Sequence, residues 1–438
     1  KDSKSFGRKV VWVQVPPRVP PSRKFTGGVM GVTLDLDEAR DALSALPEVD
    51  LDRMALQRLQ RLQGEMAERD VGAMLLYDPV NVRYATGTRN MQVWAMHNSS
   101  RYCLVPAEGR VVVFDFLQCE HLSEHLPTVE ESRPARMWIF HIAGSRREEV
   151  MATWAAELAE VITDRCPNQR LAVDRLDGDP RRALEAHGID VSFGQDLVEY
   201  ARRIKTVDEL VAQRHAAAIC TSALGQMRQA TIPGATENEL WSILMGVNVA
   251  LDGDYTESRM VVSGPRTNPW YSEAGNRGIR AGELLAIDTD MVGPHGYSCD
   301  MSRTWLCHPG APSGEQKTLY GLAYEQVHHN MALLGPGLTM RELAERSWRI
   351  PDRYEPLECG ALIHGIGLCN EYPQLVPGKW FDQMGYDAAL EADMTVCVES
   401  YIGELGGHEG VKLEEMVRIT ESGCELVGRF PFEEELLA

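Results

Sequence analysis

The residues of this chain whose types and spacing could do chemistry are acids set into apolar runs. In L-L-A-I-D-T-D-M-V, Asp288 and Asp290 are two apart, so on a strand both carboxylates would project to one face, as a pair of metal ligands does. Asp300 follows ten residues after Asp290, across the turn-forming G-P-H-G-Y-S-C, so a hairpin could bring a third carboxylate back to the first two. Glu399 ends T-V-C-V-E, and Glu414 lies inside V-K-L-E-E-M-V-R-I. Taken singly, each acid could be a solvated surface residue or a cap. Their apolar flanks argue against that, because a carboxylate is costly to desolvate unless it meets a cation. His364, in A-L-I-H-G-I-G-L, could be a satisfied core histidine or a neutral imidazole ligand, with glycines that permit close backbone approach. Together these residues carry five negative charges, against four positive from two divalent ions. An oxygen-rich set of this kind suits Fe, Mn, Co or Zn.

Strands are needed to hold such acids. The runs S-R-M-V-V-S-G, E-L-L-A-I-D-T-D-M-V, D-M-T-V-C-V-E-S and H-E-G-V-K-L-E-E-M-V-R-I-T read as strands. Between them lie helices opened by capping boxes at Thr206/Glu209, Thr236/Glu239 and Thr339/Glu342. Strands joined by separate long helices predict an α+β unit over residues 204–438 with a mixed or antiparallel sheet. Residues 46–203 read as an α/β domain: the helical L-Q-R-L-Q-R-L-Q-G-E-M-A-E-R-D leads to the strand A-M-L-L-Y, and Y-C-L-V-P and R-V-V-V-F-D-F follow. Residues 1–45, with V-P-P-R-V-P-P-S-R-K, read as an extended arm.

With 438 residues, 44% of them hydrophobic, the chain can bury two globular cores. A formal charge of -20 argues against nucleic acid or an anionic membrane as partner and leaves a small ligand as the expectation. Ten cysteines without a C-x-x-C pair fit a reduced, cytoplasmic setting. The N-terminus does not read as a signal peptide, and no stretch approaches the roughly 20 apolar residues that span a bilayer.

The order A-I-D-x-D, C-D-M-S-R-T-W, I-H-G-I-G-L, V-C-V-E-S and G-V-K-L-E-E-M-V resembles the five metal-binding segments of the creatinase/prolidase or pita-bread metallopeptidase family. The segment from R-L-Q-R-L-Q-G-E-M to N-V-R-Y-A-T-G is similar to the opening of that family's creatinase-type N-terminal domain, so the resemblance covers about residues 50 to 435. It implies a C-terminal pita-bread catalytic domain and Asp288, Asp290, Asp300, His364, Glu399 and Glu414 as ligands of two divalent metal ions. It also implies a homodimer whose N-terminal domains help to enclose the partner's site.

Several positions depart from the peptidase pattern. Prolidases and related aminopeptidases carry a peptide-handling His in a His-Glu pair after H-G-I-G, where this chain, allowing a one-residue gap, has Asn370 in L-C-N-E-Y-P. A further family His follows S-G-x-x-x-x-P, where this chain has Trp270, and E-S-Y replaces E-P-G. Retained ligands without the accessory histidines imply metal chemistry on another substrate, and an indole at position 270 suits an onium cation. Within the family, A-I-D-T-D, H-G-I-G-L-C-x-E-Y-P and the aromatic replacements are most similar to the DddP-type dimethylsulfoniopropionate lyases. That resemblance implies β-elimination to dimethyl sulfide and acrylate, a small zwitterionic substrate, and iron as the metal. It also implies an Asp base at position 370, where Asn370 stands instead, so the chain reads as an inactivated form or one with another base. An Xaa-Pro dipeptidase or aminopeptidase-type hydrolase is the alternative. Trp94, with His97 and Arg101, lies in a loop that could close over the partner's site and bind substrate. Tyr372, Trp380 and Tyr386 could line the pocket, and the adjacent His328 and His329 read as structural.

Overall fold

The computed structural model describes residues 34–166 and 168–438. The arm expected over 1–45 therefore lies outside the described residues as far as position 33. From there the chain is not extended: Asp37–Ser44 form a helix, and Leu34, Leu36 and Leu43 pack on the C-terminal core.

The next segment is an α/β layer structure. The helix Leu51–Glu68 starts where Asp50 accepts the backbone N–H of Arg53, and it buries Met54, Leu59, Leu62 and Met66 at helical spacing. Six strands form one sheet in the order Val129–Pro134, Val111–Asp115, Tyr102–Pro106, Ala73–Leu76, Arg170–Val173 and Asp190–Phe193. Its four central strands are almost wholly apolar and buried on both faces because each face is covered, whereas the edge strands Val129–Pro134 and Asp190–Phe193 are more polar and partly exposed. Met74, Leu76, Val111 and Val113 meet the side that carries Leu59 and Leu62, whereas Ala73, Leu75, Val112 and Phe114 meet Trp154, Leu158 and Ile162 of the helix Arg147–Arg165.

The C-terminal half combines long helices with antiparallel sheets, as the pita-bread resemblance implies. All three predicted capping boxes form, and they open the helices Val207–Ala230, Glu237–Ala250 and Met340–Arg346. A fourth, Ser313 with Gln316, opens Gly314–Leu333. The large sheet is antiparallel, in the order Asn370–Leu375, Ile363–Ile366, Thr395–Gly403, Gly410–Thr420 and Gly423–Leu426. A smaller antiparallel sheet pairs Leu284–Asp288 with Ser302–Leu306 and Val261–Ser263. The two sheets meet where the Thr304 hydroxyl donates to the carbonyl of Lys412 (2.8 Å) and the Arg303 guanidinium donates to the carbonyl of Glu414 (2.7 Å). This junction sets two acid-bearing strand systems edge to edge.

Candidate metal centre

Asp288, Asp290, Asp300, His364, Glu399 and Glu414 all line one cavity of about 450 Å³, together with Trp270 and Asn370. Register explains the convergence. Glu399 and Glu414 are direct cross-strand partners, so their side chains share a face, and His364 lies opposite Cys397, two residues from Glu399. Asp288 ends its strand opposite Ser302. Asp290 arrives differently from the expected alternation: its φ of 38° places it in the left-handed region beyond the strand's end, and its backbone N–H donates to Asp300 Oδ1 at 3.2 Å. Gly365 sits at a bulge beside His364, and a Cβ there would lie 2.6 Å from the carbonyl oxygens of Glu371 and Tyr372.

The cluster is buried and strongly coupled. His364 Nε2 lies 3.3 Å from both Glu399 Oε1 and Glu414 Oε1, while Nδ1 donates to the Gly365 carbonyl at 3.1 Å, which leaves Nε2 facing the acids. Burial opposes protonation of His364, but the adjacent Glu414 and Glu399 carboxylates outweigh it and raise the ring to about 9. Burial pushes Asp288 up to about 8, with Lys412 opposing the shift, and it drives Asp300 well above the usual carboxylate range with help from Glu414, Asp290 and Asp288. Glu414 moves the other way: the cations Lys412 and His364 overcome its burial and hold it low. Its Oε1 is buried, forms no well-aligned hydrogen bond, and has His364 Nε2 at 3.3 Å as its neighbour. Asp300, His364, Cys397 and Glu414 can each offer one ligand atom, all within 4.8 Å of one another. Buried acids whose ionised forms are disfavoured, together with an imidazole nitrogen and a carboxylate oxygen that lack a well-aligned hydrogen bond to each other, fit a divalent cation.

Lys412 was not anticipated from the sequence. Its Nζ, almost wholly buried, donates to Ser302 Oγ (2.9 Å) and Glu414 Oε2 (2.9 Å) and lies 3.0 Å from Glu399 Oε2 and 3.4 Å from Asp288 Oδ2. A Lys two residues before an acid on a strand was the available signal, since it must share that acid's face. Glu257 was also missed. Its backbone N–H donates to the Asp290 carbonyl at 2.9 Å, and burial, then Asp290, lifts its carboxyl to about 7.

The other sequence candidates divide. Trp270 is buried against Tyr401 (ring centroids 6.0 Å), Asn370 is exposed at the cavity, and Tyr372 and Tyr386 line it with stacked rings 5.6 Å apart. Trp94 does not line its own chain's cavity; it packs edge-on against Phe116 and His141 at 5.4 and 5.9 Å. Arg101 is buried in an ion pair with Asp115 at 2.6 Å. His328 stacks on Tyr324 at 3.8 Å, and His329 Nε2 donates to the Arg346 carbonyl at 3.1 Å, so both are structural. Among the described residues no helix is long and apolar enough to cross a membrane.

Comparison with known proteins fits this geometry. Residues 212–421 match the family described as Metallopeptidase family M24, and residues 58–213 match the Creatinase/Prolidase N-terminal domain. The chain is 38% identical over 405 residues to the dimethylsulfoniopropionate lyase DddP of Roseovarius nubinhibens, covering 90% of this chain and 89% of that protein. It is 35% identical over 394 residues to the protein of the same name from Roseobacter denitrificans, covering 89% and 88%. Among solved structures it is similar to an Xaa-Pro dipeptidase from Bacillus anthracis, with a TM-score of 0.68 and 23% identity over 86% of this chain and 99% of that one.

Proposed function

Because the chain belongs to metallopeptidase family M24, with a creatinase/prolidase N-terminal domain ahead of the catalytic fold, we propose that it is a metal-dependent lyase acting on dimethylsulfoniopropionate. The observation that carries this reading is the composition of the cavity: the six candidate ligands are present, while the positions expected to hold peptide-handling histidines hold Trp270 and Asn370. In this reading Asp288, Asp290, Asp300, His364, Glu399 and Glu414 hold two divalent ions, with iron expected and Zn, Mn or Co chemically compatible. Bound there, the ions would supply Lewis acidity to the substrate carboxylate and to negative charge growing at the α-carbon.

The chain's own residues do the rest. Lys412 anchors one oxygen each of Asp288, Glu399 and Glu414. The Trp270 indole offers a face to the sulfonium, an attraction of about 0.5–2 kcal/mol. In the elimination the α-C–H bond breaks, its electron pair forms the C=C bond of acrylate, and the C–S pair leaves with dimethyl sulfide. A side chain must take that proton, and the carboxamide of Asn370 has no useful basicity near neutral pH. The chain is thus a slow form of the lyase or one with another base. The reading includes a homodimer in which the Trp94 segment, a short helix Gln92–His97 rather than the loop expected, closes the partner's cavity, and a solution mass of about one chain would remove that part of it.

The test is headspace detection of dimethyl sulfide from the iron-loaded protein and from its Asn370→Asp variant. No dimethyl sulfide from either, with proline released from an Xaa-Pro dipeptide, would replace the lyase by the alternative dipeptidase reading, which the shared fold also accommodates.

A further inference from the structure

A second cavity, of about 210 Å³, lies away from the acid cluster, where the N-terminal half meets the C-terminal half. Arg58 from the helix Leu51–Glu68, Arg83 from the helix Pro79–Thr86, Arg89 from the loop that follows, and His295 from a turn of the C-terminal half all line it. Three guanidiniums this close are not there for packing alone, since each is a permanent charge that must be compensated or hydrated.

The compensation is incomplete. Arg83 and Arg89 share a single carboxylate, Asp254, through short ion pairs. Arg58 is 2% exposed and pairs with no carboxylate directly: it donates to the Tyr297 hydroxyl (3.3 Å) and the Arg83 carbonyl (3.2 Å), and its buried Nε has no acceptor among the described residues. Glu209 reaches it only through Tyr297, whose hydroxyl donates to that carboxylate at 2.7 Å. Burial, and then the neighbouring Arg89 and Arg58, hold Arg83 down to about 10, whereas for Arg58 burial is outweighed by Tyr297 and Glu209, which raise it. Two further carboxylates line the cavity, Asp52 and Asp252, but both are exposed, where water and salt screen them. Gly296 lets the Arg83 guanidinium lie against the backbone of the turn, because a Cβ there would clash with it.

We propose that this cavity binds a small multivalent oxyanion of the sulfate or phosphate class, held by the forks of Arg83 and Arg89, with the buried charge of Arg58 behind them and His295 at its edge. Planar guanidiniums match oxyanion edges with paired N–H donors, and a charge-assisted pair in a partly buried site is about twice as strong as a neutral one. The ligand would bridge the two halves of the chain and compete with Asp254 for Arg83 and Arg89. None of this depends on the reaction assigned to the acid cluster.

Calorimetric titration of sodium sulfate into the metal-loaded protein, with chloride balancing ionic strength, tests it. One saturable site per chain is expected. Arg89→Gln, which alters a half-exposed side chain, should weaken that site by about tenfold, and Asp254→Asn, which removes the competing carboxylate, should tighten it by roughly tenfold. A loss of packing cannot produce the second result. Unsaturable heats, a wild-type curve from Arg89→Gln, or no tightening by a folded Asp254→Asn would overturn the proposal. If Asp254→Asn does not fold, the Arg89→Gln curve decides.

Discussion

Raising the pH of the metal-free protein from 6.5 to 9 should destabilise it, and His364 sets the scale. The ring is ordinarily half-protonated at 6.5 but is raised to about 9 in the fold, so over that interval the native state binds a proton that the unfolded chain has lost. Its contribution is complete below pH 6.5 and is gone once the pH passes 9. The difference is on the order of 3 kcal/mol, from about 1.4 kcal/mol for each pKa unit. Asp288, lifted from 3.8 to about 8, acts in the same direction, because the fold keeps a proton there that the unfolded chain releases near pH 4. With an unfolding entropy near 2.1 cal/mol/K per residue, 3 kcal/mol lowers Tm by about 3 °C if the whole chain unfolds as one unit, or about 6 °C if the C-terminal half unfolds alone. Scanning fluorimetry on chelator-treated protein measures this. Divalent metal should abolish the fall, since it binds the deprotonated ligands and displaces both protons. A metal-free Tm that is flat or rises between pH 6.5 and 9, or an equal fall with saturating metal, would refute the coupling of His364 to Glu399 and Glu414.

Three other outcomes follow from the same geometry. Asn370→Asp should raise lyase turnover by about 10²- to 10⁴-fold, the range of a positioned general base, and equal dimethyl sulfide release from the two forms would remove position 370 from the mechanism. Lys412→Met leaves Asp288, Glu399 and Glu414 with His364 as their one remaining cation among the described residues, at a cost of about 3–5 kcal/mol in the metal-free protein; the rise in Tm on adding Zn²⁺ should then exceed that of the unaltered chain, and an equal rise would count against Lys412 as the organising charge. Arg303→Met should cost about 3–5 kcal/mol in urea unfolding, because Glu415 at 2.6 Å loses its buried partner and the carbonyls of Glu414 and Phe430 lose a donor; a loss under 1 kcal/mol would be inconsistent with that clamp.

What could be read in the sequence was whatever depends on near neighbours in the chain. The capping boxes at Thr206, Thr236 and Thr339 span four residues each and form as expected, and the apolar runs around Asp288, Glu399 and Glu414 are the strands they resemble. Acids in such runs imply a cation whatever the fold, so the demand for positive charge was legible before any contact was known. The arrangement was not. That Glu399 faces Glu414, that Asp290 enters through a left-handed residue, and that Trp94 stays out of its own chain's cavity are matters of register and turn geometry. The ammonium of Lys412 reaches Asp288 across 124 positions of chain, and Arg89 meets Asp254 across 165. Local patterns fix which face a side chain takes, but only packing of the two sheets and the two halves decides which charges come to share a cavity.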